Sequence, residues 1–198
     1  MTTILAINGS YRANGITDQA VEAATQAAKN AGAEVEIVLL RDYPIEFCVN
    51  CRKCCQAPGE EPGECALDDG MRELIKKIEQ ADAYILASPT NFGSVTALYQ
   101  RFLERLIPYG YWSWKMNFPR NRKSKSKRKK ALLISSSAAP GFMGRWMFQS
   151  RKQLKATAKI IGAARVGLLF TGMIAQEPHP QLPAKSKAKA EKLAKKLV

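Results

Sequence analysis

Apolar positions fall in short continuous runs separated by stretches of helical spacing. Ile4, Leu5, Ala6 and Ile7 form the first run and lead straight into Asn8, Gly9 and Ser10. From about Thr17 to residue 31 the spacing turns helical, with Thr17 as N-cap, Asp18 in the first turn and Gly32 as the stop. Ala20, Val21, Ala24, Ala27, Ala28 and Ala31 give that helix a small-residue face. A second strand reads over Glu34–Leu40. Asp68 and Asp69 open the next helix, where Met71, Leu74, Ile75 and Ile78 recur at i, i+3, i+4 and i+7. The third strand, Ala83–Ala87, ends in SPTNFGS (88–94). A helix carrying Val95, Leu98, Tyr99, Phe102, Leu103 and Leu106 follows and stops at Pro108. The fourth strand is 131–135, followed by the turn SSAAPGF (136–142) and a helix over about 144–161. Met147, Leu154, Ala158 and Ile161 are its expected inner stripe and Gly162 its end. The fifth strand is Val166–Thr171. A Pro-containing linker (178–183) leads to a Lys-rich helix, 184–198, with Ala190, Leu193, Ala194 and Leu197 inward.

Five apolar strands alternating with helices predict an α/β chain whose parallel sheet is covered on both faces. Right-handed crossovers of this number fit a flavodoxin-like three-layer sandwich, a five-stranded parallel sheet of order 2-1-3-4-5. Ligands of such sheets lie beyond the C-terminal strand ends, at the switch point between the first and third strands. Loops 8–17, 88–95 and 136–142 belong there, and all are rich in glycine and small polar residues.

At 198 residues, 46% apolar and 24% charged, the chain reads as one globular domain, 1–198. There is no signal-peptide pattern, and no apolar run approaches the roughly 18 residues of a membrane span. The expected setting is soluble and cytoplasmic, without membrane contact. Net charge is +14, and it is local. Residues 115–130 hold nine Lys or Arg and no acid, and 185–198 hold six Lys against one Glu. These segments carry the whole excess. The run RNRKSKSKRKK (120–130), inside a basic insertion at 109–130, contains no aromatic that could stack on a base, so it reads as a solvated loop rather than a nucleic-acid surface. Contact with the extra phosphate of NADPH, with an acidic protein or with nucleic acid are the other uses of that charge.

The first loop sits against a helix N-terminus, whose free amides and positive dipole end favour an anion. Ser10, Asn14 and Thr17 add donors, Arg12 adds a cation, and Gly9 and Gly15 allow close backbone approach. Neither a G-x-G-x-x-G nor a P-loop sequence is present. The loop G-S-x-R-x-N-G-x-T resembles the FMN phosphate loop of flavodoxin-like NAD(P)H-dependent FMN reductases. SPTNFGSVTALYQRF (88–102) resembles the S-P-x-Y-F-G-S-x-S-A signature of the same reductases and their iron–sulfur relatives, with Asn91 where an aromatic is common. The resemblance implies that Ser10, Arg12, Asn14, Gly15, Ile16 and Thr17 hold the FMN phosphate. It places Pro89, Thr90, Asn91, Phe92, Gly93, Ser94 and Ser137 around the ring, Phe92 as a wall. No residue is required as an acid or base, and His179, the single histidine, lies in the linker.

All five cysteines, Cys48, Cys51, Cys54, Cys55 and Cys65, fall within 18 residues in a Cys-rich segment, 47–65. An odd number so spaced argues against a disulfide framework. C-x2-C-x2-C is ligand spacing, and it leaves a [4Fe–4S] cluster, tetrahedral zinc or metal-free redox thiols open. FCVNCRKCC…ECALDDGM (47–71) resembles the compact Cys motif of iron–sulfur flavoproteins, although APGEEPGE lengthens the gap before the last cysteine. That resemblance makes Cys48, Cys51, Cys54 and Cys65 the ligands and Cys55 the spare. The aromatic stretch 109–118 is expected at a subunit interface, over the flavin, or in plain packing.

The resemblance implies an FMN oxidoreductase that passes electrons from NAD(P)H or reduced ferredoxin, through FMN and an Fe–S cluster, to quinone, dioxygen or another acceptor. It also implies a homodimer or homotetramer. The rival expectation is a non-catalytic nucleic-acid- or protein-binding module on the same scaffold, using the basic segments.

Overall fold

The computed structural model describes residues 1–124, 128–141, 147–175 and 177–198. Five parallel strands form its main sheet: β1 Thr3–Asn8, β2 Glu34–Leu39, β3 Ala83–Ala87, β4 Lys129–Ser136 and β5 Ala163–Thr171. Their order is β2-β1-β3-β4-β5, the predicted arrangement. Helices α1 Ile16–Asn30, α2 Gly70–Gln80, α3 Ala97–Glu104, α4 Ser150–Ile160 and α5 Ala184–Ala194 cover it.

The period of two sorts each strand between two cores. Ile4, Ala6, Ala83, Ile85, Ala87, Leu132 and Ile134 face α1 and α5. Leu5, Ile7, Tyr84, Leu86 and Leu133 face α2, α3 and α4, where Met71, Leu74, Ile78, Phe102 and Leu154 bury. The alanines of α1 admit close approach to the sheet and to Ala190 and Ala194 of α5. Gly32 and Gly162 end their helices with φ of +91° and +78°.

Local expectations change at several places. Helix α3 starts at Ala97, with Val95 in a hairpin strand before it and Leu106 beyond its end. Gly15, not Thr17, is the N-cap of α1, because Thr17 turns inward to hydrogen-bond Ser136. Helix α4 starts at Ser150, and Met147 is exposed rather than part of a buried stripe. Residues 144–146 of the expected helix, and Phe142 of the turn, lie outside the described residues. Strand β5 begins at Ala163, ahead of its apolar run, because it pairs with Lys129 and Lys130 at the start of β4.

The insertion is not simply solvated. Gly110–Tyr111 pairs antiparallel with Arg120–Asn121. Arg122 is buried and donates to the carbonyls of Pro108 (2.9 Å), Gly59 (3.0 Å) and Ala57 (2.8 Å). Lys123 pairs with Glu79, and Lys129 reaches the Ile78 and Glu79 carbonyls. Lys125, Ser126 and Lys127 of the basic run lie outside the described residues.

Candidate functional site

Loop 9–15 is held from three sides. The Gly9 N–H donates to the Ala87 carbonyl (2.8 Å), and Thr96 Oγ1 donates to the Gly9 carbonyl (2.6 Å). Asp18 accepts from Asn8 Nδ2 (2.6 Å), from the Asn14 N–H (3.1 Å) and from Arg41 (3.0 Å). Asn14, at φ +58°, turns the chain into Gly15, whose extended backbone opens α1 without a capping side chain. The first-turn amides of a 15-residue helix therefore face the loop free of a side-chain cap, which is the condition for binding an anion.

The two sequence motifs meet here. A cleft of about 230 Å³ is lined by Ser10, Arg12, Gly15, Ile16 and Thr17 from the first loop and by Pro89, Asn91 and Thr96 from the third. Ser136, at the end of β4, closes its floor and shares a 2.9 Å hydrogen bond with Thr17. Ile174 and Pro180 come over from the linker, where Arg12 donates to the Pro178 carbonyl and Gln19 to that of Pro180 (3.0 Å). A larger open groove of about 1050 Å³ runs along α1 and α5. It touches the first loop only at Asn14 and includes nothing from the third, so the smaller cleft is the one the motifs build.

The remaining predicted residues stand beside the cleft. Thr90 pairs with Ser150 (2.8 Å), and Ser94 donates to Gln153 (2.9 Å). Ser137 donates to the Ala139 carbonyl (3.1 Å). Thr90–Asn91 and Ser94–Val95 form a small hairpin, with Phe92 and Gly93 at φ +46° and +76°, the positive pair a two-residue reverse turn requires. Phe92 does not wall the cleft as expected: its side chain is fully exposed at the hairpin tip. Gly9 makes room for Tyr99, 2.8 Å from where a Cβ would lie. Sequence reasoning missed Thr96, Ser136 and the clamp of Asp18 and Arg41. Asp18 was visible only as a helix-dipole residue, and nothing local marks Arg41, which reaches it across 23 positions.

The chemistry of the lining suits a phosphate: the helix start is uncapped, and Arg12, Ser10 and Thr17 stand beside it with their polar atoms on the Pro178 and Arg12 carbonyls and on Ser136, partners an anion would have to displace.

The cysteine segment packs against the chain that follows α3: the Trp112 N–H donates to the Cys55 carbonyl (2.7 Å) and the Gly63 N–H to the Pro108 carbonyl (3.0 Å). Asn50 and Arg52 take φ of +52° and +60°, winding the chain tightly between Cys48 and Cys54. Despite the longer gap, Cys65 returns to the group. Gly63 presses so close to Cys54 that a Cβ would lie 1.7 Å from the Cys54 carbonyl oxygen, and Arg122 holds the intervening loop by Ala57 and Gly59. Burial pushes the Cys54 thiol up to about 12, and Cys55, Cys65, Cys48 and Cys51 each add to the rise. All five thiols are free. They are gathered but not arrayed: among the described residues no three Cys, His, Asp or Glu side chains converge as an ion-holding group. The expected ligands Cys48, Cys51, Cys54 and Cys65 are thus neighbours of the right chemistry that a cluster would have to draw together.

Arg105, 1% exposed at the end of α3, ties this segment down. It grips Asp69 with both terminal nitrogens (2.6 and 2.9 Å) and donates to the Glu46 carbonyl (2.8 Å) and to Cys65 Sγ (3.5 Å). Burial alone would raise the Asp69 carboxyl, but hydrogen bonds from Arg105, Glu46 and Met71 and the Arg105 charge hold it below the usual range. The aromatic stretch packs on the same loop: Trp112 and Trp114 sandwich the Arg52 guanidinium at 3.6 and 4.4 Å.

Residues 2–169 match the model of the NADPH-dependent FMN reductase family. An iron–sulfur flavoprotein of Archaeoglobus fulgidus is 38% identical over 105 residues, 53% of this chain and 46% of that protein. One from Methanocaldococcus jannaschii is 34% identical over 105 residues, 53% and 52% of the two chains. The chain thus spans about half the length of the curated relatives it matches. Among solved structures, an azoreductase from Bacillus anthracis superposes with a TM-score of 0.71 at 16% identity, covering 99% of this chain and 100% of that one. An NAD(P)H:quinone oxidoreductase from Methanothermobacter marburgensis superposes at 0.73 and 13%, covering 100% and 99%. Both share the fold.

Proposed function

The chain belongs to the NADPH-dependent FMN reductase family, and from that membership we propose that it is an FMN-dependent oxidoreductase drawing its electrons from NAD(P)H. The observation that carries the reading is the single cleft built jointly by residues 10–17 and 89–96. Ser10, Arg12, Thr17 and the first amides of α1 hold the phosphate; Pro89 and Asn91 border the ring. Bound there, FMN supplies the hydride chemistry, and the protein supplies alignment and a polar edge. Arg12 exchanges its Pro178 carbonyl for the phosphate, a stronger, charge-assisted partner.

Cys48, Cys51, Cys54 and Cys65 are the residues that would hold an iron–sulfur cluster, which would add one-electron chemistry beside the flavin. Support comes from the gathered thiols and from relatives named iron–sulfur flavoproteins. Five free cysteines fit a reducing compartment such as the cytoplasm. No helix among the described residues is long and apolar enough to cross a membrane. Exposed Tyr11, Phe47, Val49 and Phe92 give a second copy of the chain an apolar surface to cover, in a homodimer or homotetramer. The engagement of Arg122, Lys123 and Lys129 inside the fold weighs against a nucleic-acid module.

The test is reconstitution. Protein incubated with FMN and freed of excess by gel filtration should carry flavin absorbance that NADPH bleaches under anaerobic conditions. Colourless protein after this treatment defeats the reading.

A further inference from the structure

A second cleft, of about 350 Å³, opens on the insertion side and shares no residue with the flavin cleft. Leu103 and Leu106 from the α3 end, Ile107 and Ile160 form its aliphatic floor, and Trp112 stands as a wall. Its size is that of a small-molecule site. Two features of its polar lining are directional. Arg52 and Arg120 are the charged residues that line it, with no carboxylate among the described lining residues. And the Arg52 Nε is buried without a hydrogen-bond partner.

That orphan donor is fixed in place. The guanidinium is stacked between Trp112 and Trp114, and one terminal nitrogen donates to the Trp112 carbonyl at 3.0 Å. The Nε–H is covered by protein atoms, so a ligand oxygen reaches it where a covering side chain gives way, and a stacked guanidinium with an unused edge then suits a carboxylate or phenolate. The aliphatic floor and the indole offer dispersion contact to a ring, while the two cations disfavour a ligand of positive charge.

We propose that this cleft binds a small aromatic anion, such as a bicyclic carboxylate or phenolate. Its ring lies on Leu103, Leu106 and Ile160, and its oxygen takes the Arg52 Nε–H with Arg120 at the rim. The site shares no residue with the flavin cleft, so it stands or falls separately from the flavin reading; Arg52 and Cys55 lie within the cysteine segment, so the test uses metal-free protein.

Calorimetric titration of the full chain with 2-naphthoate and with the neutral 2-naphthamide tests it, in the presence and absence of FMN. One naphthoate per chain should bind in both conditions, about tenfold more tightly than the amide. Ile160→Trp, which fills the floor, should weaken naphthoate by about tenfold or more while FMN uptake stays unchanged. Arg120→Gln, a rim substitution on an exposed side chain, should narrow the preference for naphthoate over the amide several-fold. Absence of naphthoate binding overturns the proposal, as does equal affinity for the two compounds. So does competition of naphthoate with FMN, or an Ile160→Trp chain that folds, takes up FMN and binds naphthoate as before.

Discussion

Gly9 and Tyr99 meet so closely that a Cβ on Gly9 would stand 2.8 Å from Tyr99 Cβ and 2.9 Å from its ring. Tyr99 is fully buried and packs edge-on against Phe102 with centroids 5.6 Å apart, so it has no room to yield. Gly9→Ala must therefore shift the loop between β1 and α1. The expected cost is about 1–3 kcal/mol of stability, read as a fall in melting temperature, with FMN binding weakened because the same loop carries Ser10 and Arg12.

Arg12 and the helix start are assigned to the phosphate and not to the ring, and riboflavin separates the two. Arg12→Gln should weaken FMN by about 1.5–3 kcal/mol, roughly ten- to hundredfold. Riboflavin, which lacks the phosphate, should bind both chains alike. Flavin fluorescence titrations of the two ligands check this, and an equal loss for both would place Arg12 elsewhere.

The sheet order and the strand positions were readable because buried parallel strands announce themselves as apolar runs. Ile4–Ile7 and Ala83–Ala87 needed no tertiary information. The start of β5 was not readable: Ala163, Ala164 and Arg165 extend only because β4 offers them a ladder. The loop proposed to hold the phosphate was legible as Gly and polar residues before a helix. Its internal wiring was not, since Ser, Thr and Asn side chains that look like ligand donors are largely spent on one another, as in Thr90 with Ser150 and Ser94 with Gln153. The return of Cys65 to the other thiols depends on Gly63, Arg122 and Arg105, contacts of long sequence separation that spacing alone does not carry.

Asp69 makes stability depend on acid. Its folded carboxyl is held below its unfolded value of about 3.9, so the stabilisation is fully present above that pH and is lost as pH falls through the folded value. Asp69→Asn removes this dependence and leaves Arg105 buried beside a neutral group, at a cost of about 3 kcal/mol near neutrality. Denaturant midpoints measured at pH 7 and at pH 3 should differ less in the variant than in the parent; an unchanged pH dependence removes Asp69 from the account.

The thiols should react in order of exposure and ionisation. Cys51 is exposed, whereas Cys54 is buried and its thiol stands near 12. In metal-free protein at pH 8, iodoacetamide should modify Cys51 well before Cys54, as peptide mass spectrometry would show. After anaerobic treatment with iron and sulfide, Cys48, Cys51, Cys54 and Cys65 should all be protected, with iron and acid-labile sulfide present in the purified chain. Zinc alone, or labelling that iron and sulfide leave unchanged, removes the cluster from the proposal.

Arg122 is the basic residue whose loss should be felt most in the run from 120 to 124. Its side chain makes three hydrogen bonds to backbone carbonyls, at Pro108, Gly59 and Ala57, from a buried position. Glutamine cannot span the three acceptors, so Arg122→Gln should cost roughly 2–4 kcal/mol and free the loop between Cys55 and Cys65. That loop contains Glu60, Glu61 and Glu64, so a glutamate-specific protease should cut the variant there faster than the parent. Lys130→Gln is the matched control. Lys130 reaches the Val198 carbonyl from an exposed position, and its loss should stay within about 0.5 kcal/mol. Equal cleavage of the two variants would mean that the basic run is surface charge and that the cysteine loop is held by something other than Arg122.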